Sequence, residues 1–377
     1  MNTFTRNEME TPRLDSLTEL HCAFWNHELK APIVNADCSF TRNFRHIPAL
    51  PPQWADRDGL LLDPQMLSPD AFQPPPMPVD NPGNALLGKV AFNTLFPYPR
   101  VPWLVGIVGC GLAVSTRAET VWPVPYLPDD WYRRADHGLN PSQAWLDKLL
   151  EFLQHIVDNY YPEKCVPVQD MVVRGPGDLC INMMGPERFY YALYDHPAEI
   201  KSLLGQITEI YIHWATSQLE RIPQIEGGYV NQYGMWCPGT CIRFQEDYAI
   251  NLSPRLLRQF ILPCSRKVVE AFNYSVIHTH SGDSNLAEAM LDLDSLNAIE
   301  VSLDPNGPPL EELVPLWNRV LEKKCLVICG PVTGAQLELL TSDLSPEGLW
   351  LDVEVVSDEG QTPMWEWDQT SARGAGA

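Results

Sequence analysis

The sequence is poor in basic residues and has no long apolar run, and each shortage excludes a class of protein. Lys and Arg number 26 against 48 Asp and Glu, so the formal net charge is −22 at pH 7. A chain this acidic, with no Lys/Arg cluster, is unsuited to the phosphates of a nucleic acid or to an anionic membrane surface. The longest apolar stretch, residues 102–114, is shorter than the roughly 18 residues of a transmembrane helix. We therefore expect neither a nucleic acid nor a membrane as partner.

The first residues of the chain also lack the apolar segment of a secretory signal. The ten cysteines are therefore interpreted as reduced thiols of a cytoplasmic protein, mostly buried as small hydrophobic residues. Cys237 and Cys241 have the spacing of half a metal site, but no second cysteine or histidine pair at zinc-finger spacing accompanies them. Other motifs are missing as well: G-x-S-x-G, the P-loop, H-E-x-x-H, and a G-x-G-x-x-G after the first strand.

Proline, in contrast, is abundant, and much of it falls within residues 48–100. Because proline fixes φ and has no N–H to donate, this region is predicted to be a loop that wraps a folded body. Before it, residues 14–29 have the apolar spacing of a helix. We therefore expect residues 1–100 to form an N-terminal helix and a proline-rich wrap, and residues 361–377 to form a disordered tail.

From residue 101 onward, short apolar runs alternate with amphipathic segments, as in βα units around a parallel sheet. The sequence predicts strands at 101–109, 274–280, 297–304 and 348–356. The missing dinucleotide motif and the regular spacing of the later strands favour a closed (β/α)8 TIM barrel over an open doubly wound sheet. The predicted fold is thus an α/β barrel over residues 101–360.

The pattern His-x-His at the end of one predicted strand is the sharpest chemical signal. His278 and His280 are two residues apart, so both imidazoles lie on one face of a strand, which suits a pair of metal ligands. The alternative is a hydrogen-bonded pair without metal. Buried carboxylates on later strands are costly unless paired or metal-bound, so Glu300 and Glu354 are candidate further ligands, with Asp352 as the alternative to Glu354. Such a set suits zinc, and equally iron(II).

Four further residues are candidates for the same barrel mouth. Arg174 follows a predicted strand and is interpreted either as the partner of an anionic substrate group or as half of a structural salt bridge. Tyr233 and Trp236 are candidate pocket walls, although aromatic strand residues are more often core. Asp247 precedes a predicted helix and is a candidate loop acid at the mouth.

Two segments resemble the uroporphyrinogen decarboxylase superfamily. Residues 174–200 (RGPGDLCINMMGPERFYYALYDHPAEI) carry the G-P-x-x-L turn, a Met-Gly and a close match to "ALYDDP". Residues 244–272 (FQEDYAINLSPRLLRQFILPCSRKVVEAF) are similar to the family's segment with "LSP" and "LP". The resemblance extends over residues 165–356 and implies a TIM barrel, which in this superfamily often forms a homodimer.

Within that superfamily, the resemblance points away from porphyrinogen decarboxylation, because the R-Q-A-G-R-Y segment of those enzymes has no counterpart here. Corrinoid-linked methyltransferases of the superfamily bind zinc through H-x-C, a strand Glu and a last-strand Cys. His278, His280, Glu300 and Glu354 fall on or near those positions, so the resemblance implies a metal site in which harder ligands replace the thiolates.

The expected function is therefore a metal-dependent enzyme that transfers a methyl or other C1 group to or from a small, possibly anionic substrate, with Arg174, Tyr233, Asp247 and Glu300 as catalytic candidates. A corrinoid protein is the partner that methyl transfer implies. The alternatives are decarboxylation or another metal-assisted lyase reaction, iron-dependent oxidative cleavage, and a catalytically silent scaffold that binds a tetrapyrrole or corrinoid.

Overall fold

The computed structural model describes residues 14–35, 54, 56–71, 88–97, 101–118, 120–171 and 173–356. The predicted tail at 361–377 and about half of the proline-rich wrap at 48–100 lie outside the described residues. The prediction of a disordered tail is therefore untested.

A parallel sheet of six strands forms the centre of the molecule and confirms the α/β class. Its strand order is β1-β12-β11-β10-β9-β8, and every neighbouring pair is parallel. The described strands are, in chain order, β1 (Ile33–Asn35), β2 (Thr94–Leu95), β3 (Gly111–Ser115), β4 (Thr120–Val124), β5 (Val166–Pro167), β6 (Tyr229–Val230), β7 (Trp236–Cys237), β8 (Cys241–Gln245), β9 (Tyr274–His280), β10 (Ala298–Ser302), β11 (Cys325–Thr333) and β12 (Leu349–Val356).

Helices separate most of these strands, as the alternating sequence pattern predicts. They are α1 (Leu14–Trp25), α2 (Trp103–Ile107), α3 (Gln143–Tyr160), α4 (Pro176–Met184), α5 (Pro186–Asp195), α6 (Pro197–Leu219), α7 (Pro254–Leu256), α8 (Leu262–Glu270), α9 (Ser284–Met290), α10 (Leu310–Leu321) and α11 (Gly334–Asp343). A π-helical turn, Leu257–Ile261, joins α7 to α8.

The predicted strand at 101–109 is wrong, because its centre forms the short helix α2. All five residues of α2 are buried, and a short run that is apolar on every side has no period that separates a strand from a buried helix. Gly106 allows α2 to lie close to α3: a Cβ at this position would lie 2.9 Å from Cδ2 of Trp145.

The central strands are almost entirely apolar because both of their faces are covered. In β10, for example, Ala298, Ile299 and Val301 are each at most 2 % exposed. Fully enclosed charged side chains are the exceptions in this sheet, and they include Arg243 on β8 and Glu300 on β10. Burying a charge is expensive unless it is paired, so these exceptions indicate a site with a specific electrostatic arrangement.

Two further backbone contacts lie outside the strand pairings of the six-stranded sheet. The strands β2 and β5 are parallel to each other, and the amide of Gly175 donates a backbone hydrogen bond of 2.7 Å to Gln245 at the end of β8. Elsewhere, β3 and β4 form one antiparallel hairpin and β6 and β7 form another. Among the described residues, the search for a helix long and apolar enough to cross a membrane found none.

Candidate metal centre

The carboxyl ends of β8, β9 and β10 bring the polar side chains of the site together. In the sheet register, His278 is aligned with Gln245 on one side and with Glu300 on the other, and His280 is aligned with Ser302. Because parallel strands all end at the same edge, the residues that follow them also meet there. The predicted convergence of His278 and His280 on one face is confirmed.

The imidazole of His278 is oriented by the buried carboxylate of Glu300. Nδ1 of His278 is hydrogen-bonded to Oε2 of Glu300, and both side chains are enclosed. The hydroxyl of Tyr233 donates to the same oxygen at 2.8 Å, and the hydroxyl of Ser302 donates to Oε1 at 2.9 Å. With Nδ1 engaged in this way, Nε2 is the nitrogen that His278 presents to the mouth of the site.

A second carboxylate orients His280 in the same manner. Nδ1 of His280 lies 2.9 Å from Oδ1 of Asp304, and the amide of Asp304 donates to the hydroxyl of Ser281 at 3.0 Å. The side chain of His280 is 40 % exposed, so the site opens to solvent on this side. Nε2 of His280 lies 3.3 Å from Nε2 of His278. The two imidazoles thus converge through equivalent nitrogens.

Asp247 completes a group of three candidate ligands, Asp247, His278 and His280, whose ligand atoms all lie within 4.8 Å of one another. Its Oδ1 lies 4.0 Å from Nε2 of His280. That oxygen is buried, yet it accepts no hydrogen bond from any residue that the structure describes. A buried carboxylate oxygen without a donor is costly, and a cation between it and the imidazoles would satisfy it.

The spacing of the two imidazoles fits a first-row divalent metal. With metal–nitrogen distances of about 2.0–2.1 Å, a separation of 3.3 Å between the two Nε2 atoms corresponds to a ligand–metal–ligand angle of roughly 105–110°, close to tetrahedral. Metal-binding histidines commonly donate their other N–H to a carboxylate, as His278 and His280 do here. The donor set, two imidazoles and one carboxylate, is one that zinc and iron(II) both accept.

The carboxylate of Asp304 favours the protonated form of His280 when no metal competes. Burial alone raises the pKa of Glu300, but the charge and hydrogen bond of His278, together with Arg243 and Tyr233, outweigh it and lower that pKa to about 2. The hydrogen bond that Asp304 accepts from His280, opposed by partial burial, raises the pKa of His280 to about 9. A metal at Nε2 therefore has to displace a proton from His280.

Tyr233 lies in the turn between β6 and β7 and is fully buried. It was predicted to line the wall of an open pocket, but its hydroxyl contacts Glu300 in the protein interior. Its hydroxyl accepts a hydrogen bond of 2.8 Å from Nε of Arg243, which is itself 2 % exposed. Arg243 also donates to the carbonyl of Met171 at 3.0 Å. The chain Arg243–Tyr233–Glu300–His278 thus ends on a candidate ligand. In this arrangement Tyr233 and Glu300 act on His278 through hydrogen bonds.

Arg174 lies at the same edge of the molecule, beyond β8. The hydrogen bond from Gly175 to Gln245 places it next to the end of that strand, and Gln245 in turn is aligned with His278. The charge of Arg174 acts on the buried carboxylate of Asp178. Its Nε is buried and has no hydrogen-bond partner among the described residues. Arg174 therefore has donor capacity left for an anionic group.

The two acidic candidates on the last strand lie apart from the group of three. Asp352 is fully buried on β12 and accepts a hydrogen bond of 2.7 Å from Asn35 on β1. Glu354 lies two residues further along β12, which is separated from β9 by β10 and β11. Neither belongs to the group of three, and the role of Glu354 as a metal ligand stays a prediction. Glu300 was also predicted as a ligand. Its carboxylate is hydrogen-bonded to Nδ1 of His278, and it does not belong to the group of three.

Sequence reasoning missed two contributors. Asp304 was recognisable only as a polar residue after β10, because its pairing with His280 depends on the course of the chain after the strand. Arg243 had a stronger signal, since a charge inside the apolar run Cys241–Gln245 is unexpected unless a buried carboxylate lies opposite.

Comparison with protein-family models gives no match, and comparison with curated proteins gives none either. The resemblance to the uroporphyrinogen decarboxylase superfamily therefore depends on the motifs in residues 174–200 and 244–272 alone, and it stays a prediction.

Proposed function

We propose that this protein is a metal-dependent enzyme in which Asp247, His278 and His280 hold one divalent cation. The observation that carries the proposal is the convergence of the two Nε2 atoms at 3.3 Å beside a buried carboxylate oxygen that accepts no hydrogen bond from a described residue. Each imidazole is already oriented by its own carboxylate, Glu300 or Asp304. Such preorganisation is what a metal site needs and what a pair of merely hydrogen-bonded histidines does not need.

For the metal, zinc is our first candidate and iron(II) the second. The near-tetrahedral angle favours zinc, whereas a set of two histidines and one carboxylate with open positions is also the ligand set of many non-haem iron enzymes. The three ligands contain no thiolate. A bound metal would therefore act chiefly as a Lewis acid that polarises an oxygen atom of the substrate.

The reaction class that this ligand set supports best is metal-assisted cleavage of a carboxylate-bearing small molecule, such as a decarboxylation. Asp247 and His280 lie at the solvent-exposed side of the site, where a substrate would enter. Arg174 would bind an anionic group of that substrate and so fix its orientation. Glu300 and Tyr233 would keep His278 in one tautomer and one orientation.

Methyl or other C1-group transfer is the second candidate, and the superfamily resemblance of residues 174–200 and 244–272 favours it. Activation of a substrate thiol benefits from electron-rich thiolate ligands, which Asp247, His278 and His280 do not supply. For this reason we rank it below cleavage. A corrinoid protein as partner belongs to this second candidate only.

We further propose that the six-stranded sheet is part of a closed (β/α)8 barrel, with β2 and β5 in the second and third strand positions. In favour of this, β2 pairs with β5, and Gly175 bonds to Gln245 of β8. With β1 beside β12 at the other end of the sheet, the eight segments then follow the chain order of a barrel. The site would lie at the carboxyl ends of the strands, where barrel enzymes place their chemistry.

The proposed site can be tested with cobalt(II), whose visible absorption reports its ligands. Cobalt-loaded protein is titrated with malonate, a dicarboxylate, and separately with imidazole, a neutral ligand. We expect both to change the spectrum, and we expect Arg174→Ala to weaken malonate binding by about 10-fold while leaving imidazole binding unchanged, because an arginine–carboxylate pair is lost. A cobalt spectrum that responds to neither ligand would contradict an open metal site.

A further inference from the structure

Beneath the three ligands lies a reciprocal pair of buried carboxylates, Asp178 and Glu246, that none of the roles above uses. At the start of α4, the carboxylate of Glu246 accepts hydrogen bonds of 3.2 Å from the backbone amides of Gly177 and Asp178. In the turn that follows β8, the carboxylate of Asp178 accepts hydrogen bonds of 3.0 Å from the backbone amides of Asp247 and Tyr248. Each carboxylate thus caps the turn to which the other belongs, and both are at most 1 % exposed.

The Gly-Pro-Gly sequence of residues 175–177, at the start of α4, leaves room for this pair. A Cβ at Gly175 would lie 2.3 Å from the carbonyl oxygen of Gln245 and 2.5 Å from Oε1 of Glu246. A Cβ at Gly177 would lie 2.6 Å from Oε2 of Glu246. Only glycine leaves room for the carboxylate at these two positions, so the motif positions Glu246 and, through it, the whole turn.

Asp247 is held from two sides by this arrangement. Its amide donates to Oδ2 of Asp178, and its own Oδ2 accepts a hydrogen bond of 2.6 Å from Nε2 of Gln245. One carboxylate oxygen is thereby fixed, and the other, Oδ1, is left to face Nε2 of His280. The first contact restrains the backbone of Asp247, and the second restrains the rotation of its carboxylate.

We propose that Asp178 and Gln245 are positioning residues that hold Asp247 in the orientation required for binding the metal. The inference rests on the proposed function, since it concerns the same site. Asp178 acts through the backbone of Asp247, and Gln245 acts through the carboxylate itself. Positioning partners of this kind change metal affinity by 10–100-fold when they are removed.

The test measures the dissociation constant of zinc, by competition with a chromophoric chelator, for wild type, Asp178→Asn and Gln245→Ala. In Asp178→Asn, the side-chain oxygen can accept a hydrogen bond from only one of the two backbone N–H groups, those of Asp247 and Tyr248. The NH2 group of the asparagine faces the other N–H and cannot accept a hydrogen bond from it. We expect each variant to bind zinc 10–100-fold more weakly and to alter the visible spectrum of the cobalt form. Thr333→Ala, which removes the N-cap of α11, is the matched control for a lost cap and keeps the wild-type dissociation constant.

The outcomes separate this inference from the proposed function. A wild type that binds no zinc refutes the metal site itself. A wild type that binds one zinc per chain, with unchanged affinity and unchanged cobalt spectrum in the two variants, refutes the positioning role and leaves the metal site standing. If Asp178→Asn does not fold, Gln245→Ala alone decides, because its side chain is only partly buried and caps no helix.

Discussion

At the scale of single residues, the orientation of the two imidazoles is the property on which the account depends. His278 and His280 each engage a carboxylate through Nδ1, so the nitrogen that faces the mouth is the same in both rings. The strand period of two explains why they share a face, but not which nitrogen faces outward. That choice is made by Glu300 and Asp304, which come from the neighbouring strand and the loop after it.

The first prediction concerns Glu300. We expect Glu300→Gln to weaken zinc binding by 10–100-fold, because the amide cannot hold the Nδ1 proton of His278 as a buried carboxylate does. Glu354→Gln is the control, since it also removes one carboxylate at the carboxyl end of the sheet. Titration against a chromophoric chelator measures both dissociation constants. If Glu354→Gln lost the metal and Glu300→Gln kept it, the last-strand acid would be the ligand and our assignment would be wrong.

The second prediction concerns His280 in protein stripped of metal with a chelator. The hydrogen bond that Asp304 accepts from His280 raises the pKa of His280 to about 9, so the protonated form of His280 stabilises the fold. Because this pKa is above the unfolded value of about 6.5, the stabilisation is complete below pH 6.5 and is lost as the pH rises through about 9. Proton NMR of the imidazole should give this pKa, and Asp304→Asn should lower it. A wild-type pKa near 6.5 would contradict the pairing.

At the scale of elements, the helix α1 shows how the N-terminal segment is attached to the six-stranded sheet. His21 on α1 is fully buried; its Nε2 lies 2.8 Å from the carbonyl of Val90, and its Nδ1 accepts the amide of Trp236 at 2.8 Å. Because Nδ1 accepts a hydrogen bond, it carries no proton, and the ring must be neutral. The ring also lies 5.3 Å from that of Trp350 on β12, so α1 is attached to the sheet at several points.

The third prediction follows from that attachment. Burial lowers the pKa of His21 to about 4, so the folded protein resists protonation that the unfolded chain accepts near pH 6.5. The stabilisation is present above pH 6.5 and is lost as the pH falls toward 4, by about 3 kcal/mol in all. Chemical denaturation at several pH values should show this loss, and His21→Gln should remove it. His155→Gln, at a histidine on α3, is the control and should retain the loss of stability between pH 6.5 and 4.

Helices and strands could be predicted from the sequence where the spacing of apolar residues distinguishes one from the other. The strands β9, β10 and β12 and the helices between them follow from apolar runs that alternate with amphipathic segments. The predicted strand at 101–109 was wrong because Trp103–Ile107 is apolar on all sides, and such a short run has no period. Asp247 was predicted only as a loop acid. Its place beside His280 depends on Asp178, about 70 residues earlier, which no local pattern reveals.

At the scale of the whole molecule, the proposed site couples metal binding to folding, because its three candidate ligands come from two separate parts of the chain. Asp247 follows β8, whereas His278 and His280 end β9, about 30 residues later. The unfolded chain does not hold these groups together, so a metal binds the native state in preference. The charge of −22 also acts at this scale, since a cation is attracted by the surplus of carboxylates.

The fourth prediction is the size of that coupling. At a zinc concentration of 100 times the dissociation constant, the free energy of unfolding should rise by about 2.7 kcal/mol. For 377 residues this corresponds to an increase in Tm of about 3 °C. Differential scanning calorimetry with zinc and with a chelator measures the difference. The same increase in the double variant His278→Ala/His280→Ala would show that zinc stabilises the protein elsewhere.

The most direct test of the central claim is elemental analysis of protein that has been loaded with zinc or iron(II) and then freed of unbound metal. We predict about one metal ion per chain for wild type and for His155→Ala, and none for the double variant His278→Ala/His280→Ala. A wild type without stoichiometric metal, or a double variant that keeps it, would contradict the account.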